Sequence, residues 1–276
     1  MARTLIARTN RSDRNDQSIN FKGDAMDLGL SGKKALITGA TKGIGRAIAE
    51  TLLAEGASVS ICARSAEGVD AAVKELSAKG TVIGQVVDAA DGPALREWVA
   101  TSAAQLGGID IYVHNTSGKP ARKLEGWMKN FEIDLLALVH GAEAATDALA
   151  DGGGSLISIG TTATAEHFAM GSNSYSAFKS AVINWTLGQA QTLGAKGIRC
   201  NVVSPGPIFI EGGDWDFIKQ GMAPFFESTE KVHPGGKLGT AQDVADAVAF
   251  LASDRARHIN GVNLTVDGGF LKRVDF

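Results

Sequence analysis

The chain has few of the residues that mark several protein classes. It has only two cysteines, Cys62 and Cys200. Because each lies in a strand-like apolar run, we expect small buried side chains, not a disulfide or a metal ligand. No apolar run approaches the roughly 18 residues that a membrane-spanning helix needs. A net charge of −3 and a pI of about 6.0 predict no nucleic-acid surface. These shortages favour a protein of a reducing, cytoplasmic compartment that binds neither membrane nor nucleic acid.

The first 25 residues lack a periodic apolar face. They are polar and contain four arginines and three aspartates. The missing apolar segment argues against a secretory signal, and the acidic residues argue against an organelle transit peptide. We expect residues 1–27 to form a disordered extension, or translation to start at Met26. Residues 28–276 are sufficient for one catalytic domain.

From Ser31 onward, short apolar runs alternate with helical segments. The patterns predict strands over residues 34–38, 57–62, 81–87, 109–114, 155–160, 198–203 and 262–266. They predict helices over residues 43–55, 66–79, 93–106, 124–149, 173–194 and 241–252. Such alternation predicts an α/β fold, with a doubly wound parallel seven-stranded sheet and helices on both faces. Ligands of such sheets bind beyond the carboxyl ends of the strands.

A glycine-rich turn follows the first predicted strand. The segment Thr38-Gly39-Ala40-Thr41-Lys42-Gly43-Ile44-Gly45 leads from that strand into a helical pattern. Glycines at such a junction permit a tight turn, let phosphate approach the backbone and direct the helix N-terminus at negative charge. We therefore expect a dinucleotide cofactor here. The residues expected at it are Gly39, Thr41, Lys42, Gly43, Ile44 and Gly45.

Tyr175 and Lys179 lie one turn apart on a predicted helix. A free tyrosine has a pKa near 10, and we expect the nearby ammonium to lower that pKa. Tyr175 is then a candidate general acid for ketone reduction and a candidate general base for alcohol oxidation. The chain has only two tyrosines, which makes a chance Tyr-x-x-x-Lys spacing less frequent.

The glycine spacing G-x-x-x-G-x-G and the Tyr-x-x-x-Lys pair resemble the short-chain dehydrogenase/reductase family in its single-domain form. The likeness extends over about residues 28–270. Val266-Asp267-Gly268-Gly269 adds a similarity to the 3-oxoacyl-carrier-protein reductase-like members. The resemblance implies a Rossmann-type fold, a nicotinamide cofactor, interconversion of a secondary alcohol and a ketone, and a homotetramer. It also implies that Lys179 holds the nicotinamide ribose.

Two positions depart from the family pattern. Thr161 stands where the family has a serine that polarises the substrate oxygen, and its spacing to Tyr175 leaves Thr162 as a rival. A threonine hydroxyl can still donate a hydrogen bond. Asp134 stands where the family commonly has the asparagine that helps hold a proton-relay water. Asp134 could position water, pair with Lys179 or be structural.

The end of the second predicted strand indicates the cofactor type. Arg64 follows this strand directly, and no carboxylate appears before Glu67. An arginine here favours a 2′-phosphate, so we expect NADP(H) over NAD(H), with Lys42 adding a second positive charge. The resemblance further implies cofactor contacts at strand ends or in the turn after the sixth strand. These expected contacts are Asp88, Asn115, Pro205, Gly206 and Ile208.

The segment from Phe209 to Gly239 has an irregular pattern and contains several aromatic residues. Long loops of this kind are often lids. Its aromatics either line an apolar substrate pocket, opposite Phe168 and Met170, or pack within the lid or a subunit contact. A second functional hypothesis is a dinucleotide-binding sensor or scaffold with weak or lost catalysis, because Thr161 and Asp134 depart from the family.

Overall fold

The apolar runs of the chain form one seven-stranded sheet and one separate two-stranded sheet. The computed structural model describes residues 26–166 and 171–274. The strands are β1 (Lys34–Thr38), β2 (Ser58–Ala63), β3 (Val82–Val86), β4 (Ile111–His114), β5 (Gly154–Ile159), β6 (Ile198–Pro205), β7 (Ile208–Phe209), β8 (Gly239–Thr240) and β9 (Asn263–Val266). The main sheet has the order β3-β2-β1-β4-β5-β6-β9, and each neighbouring pair is parallel. The predicted fold class is confirmed.

Helices cover both faces of this sheet. They are α1 (Gly43–Ala54), α2 (Ala66–Leu76), α3 (Gly92–Leu106), α4 (Leu124–Asn130), α5 (Ala137–Ala150), α6 (Ser174–Leu193), α7 (Asp214–Gly221), α8 (Ala223–Val232) and α9 (Ala241–Ala252). Strand residues alternate between two buried clusters: Leu36 packs with α3, α5 and α6, whereas Ile37 packs with α1 and α9. This alternation follows from the two-residue period of a strand.

The predicted elements of the sheet and its helices agree with the structure to within a few residues. The predicted helix over residues 124–149 is a composite, because a π-helical segment, Phe131–Leu136, joins α4 to α5. A π-helical turn shifts the side-chain register of a helix and frequently lies at a functional site. Asp134 lies in this segment.

The irregular pattern expected over residues 209–239 is wrong. This stretch contains α7 and α8, and β7 and β8 form a two-stranded parallel pair. The pairs Ile208↔Gly239 and Phe209↔Thr240 hold the ends of the stretch side by side. We call residues 210–238 the lid segment. α7 has no buried residue, and α8 buries only Phe226 and Thr229, so neither helix has a wide apolar stripe.

The N-terminal extension falls mostly outside the described residues, which begin at residue 26. Asp27 belongs to the fold, because its carbonyl accepts a hydrogen bond of 2.6 Å from Nε of Arg255. The predicted boundary at Leu28 stays a prediction. Within the described ranges no helix has both the length and the apolar character to cross a membrane.

Candidate active site

A cleft of about 550 Å³ lies beyond the carboxyl ends of β1, β2 and β4. This is the edge of the sheet at which the sequence predicts the ligand. Seven of the residues predicted to contact the cofactor line it: Gly39, Thr41, Lys42, Gly43, Arg64, Asp88 and Asn115. These predicted contacts therefore come from separate strand ends and share one cavity.

The glycine turn forms one wall of this cleft. Gly39 and Gly43 have φ values of +66° and +61°, a conformation that favours glycine. Lys42 is the N-cap of α1, and among the residues that the structure describes no side chain caps the first-turn amides there. By contrast, Ser65 caps α2 and Asp91 caps α3. The first-turn amides of α1 are thus open to an anion, as a phosphate-binding helix requires.

Gly45 lies below the turn and allows it to pack against β4. The lack of a Cβ matters at this position, because an added Cβ would meet the Asn115 amide nitrogen and would lie 2.6 Å from the carbonyl oxygen of Gly39. Asn115 donates from Nδ2 to the carbonyls of Thr38 and Gly39, at 3.0 and 3.1 Å. Asn115 therefore fixes the glycine turn as well as lining the cleft.

Two cations lie exposed at the end of the cleft next to β2. Neither Lys42 nor Arg64 forms an ion pair with any residue that the structure describes. Both side chains line the cavity. Their charges are therefore available to an anionic ligand, as the 2′-phosphate hypothesis requires. Asp88, also exposed, accepts a hydrogen bond from the amide of Ala90, which is the geometry of a strand-end turn.

The other predicted cofactor residues do not line this cavity. Ile44 lies in the first turn of α1 and packs against the core. Pro205 ends β6, the amide of Gly206 donates to the carbonyl of Val266 at 2.9 Å, and Ile208 begins β7. These last three residues lie beyond the carboxyl end of β6. Their role at a cofactor stays a prediction.

Thr161 follows β5 and begins the segment after it. Its hydroxyl lies close enough to the Tyr175 phenol to lower the pKa of that phenol. Thr162 begins a short 3₁₀ turn. The geometry therefore favours Thr161 over Thr162 as the hydroxyl that partners the phenol.

The pKa of Tyr175 differs from the predicted direction. Burial raises this pKa, the hydrogen bond from Thr161 lowers it, and the charges of Asp134 and Asp214 raise it further. The sequence-based expectation that Lys179 lowers the pKa is wrong for this structure. The physical reason is that the Lys179 ammonium lies beside the Asp134 carboxylate, whose negative charge offsets its positive charge.

Lys179 is only 1% exposed. Its Nζ donates to the carbonyl of Ile159 at 2.8 Å and lies 3.6 Å from Oδ1 of Asp134. Burial lowers the pKa of Lys179, whereas the charge of Asp134 and its hydrogen bond raise it. Of the three open roles for Asp134, pairing with Lys179 is the one that the structure contains.

Asp134 and His114 are fully buried and hydrogen-bonded to each other. Oδ1 of Asp134 accepts from the hydroxyl of Ser117 at 2.6 Å, and Oδ2 accepts from the amide of Gly118 at 3.3 Å. His114 Nε2 donates to the carbonyl of Asp134 at 3.0 Å. Burial and the Lys179 charge lower the pKa of His114 to about 3, so its ring is neutral at physiological pH.

The residues that cover the cleft were not among the predicted cofactor contacts. Ile210 and residues 211–214 line it, and Nζ of Lys119 lies 3.3 Å from Oδ1 of Asp214 in an exposed ion pair across its mouth. Four polar residues in one tract, 114–117, at the carboxyl end of β4 were the sequence signal for a site there. Nothing in the sequence pairs them with Asp134 or Lys179.

The lid aromatics pack on one another and do not form a separate pocket wall. Trp215 stacks on Phe225 with ring centroids 6.0 Å apart, and Phe209 and Phe226 meet edge to face at 6.1 Å. Lys219 lies over the rings of Phe209 and Phe226. These contacts fit the interpretation of packing within the lid, and the substrate-pocket interpretation stays a prediction. Phe168 and Met170 lie outside the described residues.

Comparison with known proteins decides the family. A family model described as enoyl-(acyl carrier protein) reductase matches residues 39–271. The chain is 34% identical to isoepoxydon dehydrogenase of Penicillium expansum, over 88% of this chain and 96% of that protein. It is also 34% identical to the 3-oxoacyl-[acyl-carrier-protein] reductase of Escherichia coli, over 88% and 98% respectively. The chain belongs to the short-chain dehydrogenase/reductase family.

Solved structures agree with this assignment. L-Sorbose reductase from Gluconobacter frateurii, complexed with NADPH and L-sorbose, matches this short-chain dehydrogenase/reductase with a TM-score of 0.82 at 28% identity. The match covers 90% of this chain and 100% of that one. The predicted family is therefore confirmed, and the protein is an NAD(P)-dependent oxidoreductase that acts on alcohols or ketones.

In this dehydrogenase/reductase, Asp214 is a second carboxylate that acts on Tyr175. Its charge raises the pKa of the phenol, so Asp214→Asn is expected to lower that pKa. The measurement is an ultraviolet titration of tyrosinate in a Tyr112→Phe background, where Tyr175 is the one tyrosine left. A Glu211→Gln variant, which changes a neighbouring lid carboxylate, is the matched control. If Asp214→Asn left the pKa of Tyr175 unchanged, that result would contradict the electrostatic role of Asp214.

Proposed function

We propose that the protein is an NADP(H)-dependent oxidoreductase that interconverts a secondary alcohol and a ketone. The observation that carries this proposal is that the Thr161 hydroxyl lies close to the Tyr175 phenol, because this places a hydroxyl donor next to the group that would move the proton. Lys179 on the next turn of α6 supports the assignment. The NADPH in the L-sorbose reductase complex supports the cofactor type.

In this mechanism Tyr175 moves the proton. In ketone reduction its phenol donates to the substrate oxygen, and in alcohol oxidation the phenolate takes that proton back. The Thr161 hydroxyl donates a second hydrogen bond to the same oxygen and orients it toward the phenol. The hydride chemistry would come from a nicotinamide when one is bound, as donor in reduction and acceptor in oxidation.

The cleft has the features that a dinucleotide needs. The uncapped amides at the start of α1, next to Gly39 and Gly43, would hold its pyrophosphate. Asp88 and Asn115 would face the adenosine half, because both line the cleft. Lys179 would meet the nicotinamide half, with Pro205, Gly206 and Ile208 on its other side, as the family resemblance implies.

Arg64→Ala is expected to weaken NADPH binding by about 10- to 100-fold, because a charge-assisted hydrogen bond contributes about 1.5–3 kcal/mol. NADH has no 2′-phosphate, so its affinity should change little. Fluorescence titration of the purified protein with each nucleotide measures both affinities. Arg257→Ala, which removes an exposed arginine outside the cleft, is the matched control.

Equal loss of NADPH and NADH affinity in Arg64→Ala would contradict selection through the 2′-phosphate. Tighter binding of NADH than NADPH by the unaltered protein would make the cofactor NAD(H) instead. The enzyme assignment would survive both results, because neither involves Tyr175.

Turnover of a ketone panel with NADPH tests the activity itself. We expect oxidation of NADPH with at least one ketone, monitored by absorbance, and the reverse reaction with the matching alcohol. Binding of NADPH without turnover of any ketone or alcohol would favour the sensor or scaffold. One observation favours that second candidate: Asp134 matches the Lys179 charge, so the ammonium does not lower the pKa of Tyr175.

A further inference from the structure

His233 ends α8 and is almost fully buried. It follows the last residue of that helix and is only 3% exposed. Its Nδ1 donates to the carbonyl of Thr229 at 2.9 Å, and because a carbonyl only accepts, Nδ1 carries a hydrogen. Nε2 has no hydrogen-bond partner among the described residues. A buried polar atom without a partner costs free energy, so the burial of this ring needs a compensating contact.

That contact is with Phe270, which lies after the last strand of the sheet. The ring centroids of His233 and Phe270 are 4.8 Å apart, and the rings are tilted by 32°. The backbone also approaches the lid closely here, because an added Cβ on Gly269 would lie 3.1 Å from Cγ of Pro234. The lid segment, residues 210–238, is therefore packed near its end against residues that follow β9.

Residues 267–271 form a tight turn, which we call the C-terminal turn. The Asp267 carboxylate accepts hydrogen bonds from the amides of Gly269 and Leu271, both at 2.9 Å. Gly269 has a φ value of +80°, a conformation that favours glycine. The turn is thus held by its own hydrogen bonds, which fix the backbone around Phe270.

The C-terminal turn also packs against the turn that follows β6. An added Cβ on Gly206 would lie 2.6 Å from Cβ of Asp267, and the amide of Gly206 donates to the carbonyl of Val266 at 2.9 Å. Gly206 is one of the residues expected at the nicotinamide. Residues 210–214, at the start of the lid, line the cleft. The C-terminal turn therefore contacts both the lid and the end of the sheet at which the cofactor is expected.

The helices of the lid bury few side chains. α7 has no buried residue, and α8 buries only Phe226 and Thr229. Phe226 meets Phe209 of β7 edge to face at 6.1 Å, which attaches the first half of α8 to the base of the lid. The contact between His233 and Phe270 attaches the other end. Two attachments fix the orientation of a helix, whereas a single one lets it pivot.

We propose that the C-terminal turn positions the lid over the cleft, with His233 and Phe270 as the positioning residues. The proposal rests on the proposed function, in which the cleft holds NADP(H). A lid has to move before a bound cofactor can leave, so a contact that holds the lid also sets how long the cofactor stays. The effect falls on cofactor release and on substrate KM, and not on proton transfer by Tyr175.

Hydrogen–deuterium exchange of the full-length protein tests the attachment without cofactor or substrate. Phe270→Ala is expected to speed amide exchange in residues 223–233 about tenfold, because local opening of α8 becomes easier. His233→Ala should loosen the same residues. Exchange in α9 should stay unchanged, since α9 packs in the core with α1. Phe217→Ala removes a lid aromatic that is 58% exposed and is the matched control.

The double variant shows whether the two rings act on each other. In the His233→Ala background, Phe270→Ala should have little further effect on exchange, because its partner ring is already gone. Full addition of the two single effects would mean that Phe270 acts elsewhere and would overturn the proposal.

Stopped-flow fluorescence measures NADPH dissociation from the same variants. Phe270→Ala is expected to raise the dissociation rate about fivefold and the KM for a ketone by a similar factor. The kcat should not fall, because Tyr175 and Thr161 are untouched. Phe270→Tyr keeps the ring and should behave as the unaltered protein. A lower melting temperature with an unaltered dissociation rate would mean a merely structural role and would overturn the proposal.

The exchange data separate the remaining outcomes. Unchanged exchange in residues 223–233 of Phe270→Ala would overturn the proposal. Equally faster exchange in α9 would also overturn it, because the change would then be a general loss of stability. If the protein binds no NADPH, the proposed function fails, while the exchange of residues 223–233 still decides whether the C-terminal turn holds the lid.

Discussion

Tyr175→Phe is expected to lower kcat about a thousandfold, because a positioned general acid contributes about 10²–10⁴-fold. The variant keeps the ring and loses only the hydroxyl that Thr161 contacts. NADPH affinity should therefore change by less than about threefold, since the loss falls on the transition state and not on cofactor binding. Steady-state kinetics and fluorescence titration on the same preparation measure both quantities.

Tyr112→Phe is the matched control. Tyr112 is the only other tyrosine, and its buried hydroxyl has no hydrogen-bond partner among the described residues. It packs in the cluster on the opposite side of β4 from α1 and α9. Removing this hydroxyl should leave kcat unchanged and raise stability by about 1 kcal/mol, because an unsatisfied buried group is removed.

Two results would contradict the role of Tyr175. A Tyr175→Phe variant that keeps a tenth or more of the activity would mean that another group moves the proton. A variant that loses NADPH binding together with kcat would mean that the hydroxyl supports the cleft instead. Equal loss of activity in Tyr112→Phe would point to a general effect of tyrosine removal.

Gly45→Ala is expected to abolish most NADPH binding and to destabilise the domain by about 1–3 kcal/mol, as overpacking does in tight interiors. The new Cβ would meet the Asn115 amide nitrogen and the Gly39 carbonyl. Both hydrogen bonds of that amide, to Thr38 and Gly39, then need new geometry. The glycine turn would lose its support from β4.

Urea unfolding and fluorescence titration measure these two effects. Gly188→Ala is the control, because Gly188 lies on the exposed side of α6 with no atom within 4 Å of an added Cβ. That change should stabilise the protein by up to about 1 kcal/mol, since alanine favours a helix over glycine. Gly45→Ala with unaltered stability and affinity would show that the close packing of the turn is dispensable.

The sequence predicted the sheet well because its inner strands, β1, β4, β5 and β6, are buried along most of their length and the elements follow the α/β alternation. The strand over residues 34–38 and the helix over residues 241–252 were predicted to the residue. The lid helices were missed for the opposite reason. They bury few side chains and are only eight and ten residues long, so each offers few turns of a pattern from which a helix can be recognised.

The part of the site that the sequence predicts is the part whose residues lie on a single element at a fixed spacing. Tyr175 and Lys179 share a helix, so their proximity follows from the sequence alone. The contact between Lys179 and Asp134 depends on the tertiary packing of α6 against the π-helical segment, and the sequence left it as one of three options. The pKa of Tyr175 was predicted in the wrong direction, because that pairing was needed to know the net charge beside it.

The two-residue pairing of β7 with β8 has a consequence for engineering. It closes the lid segment at its base, so the segment enters and leaves the domain at nearly one point. A replacement lid of different length, joined at Ile208 and Gly239, needs no change in the sheet, because loop closure costs rise only slowly with length. The sheet is therefore expected to tolerate changes in the part of the lid segment after residue 214, whereas residues 210–214 line the cleft and need to be kept.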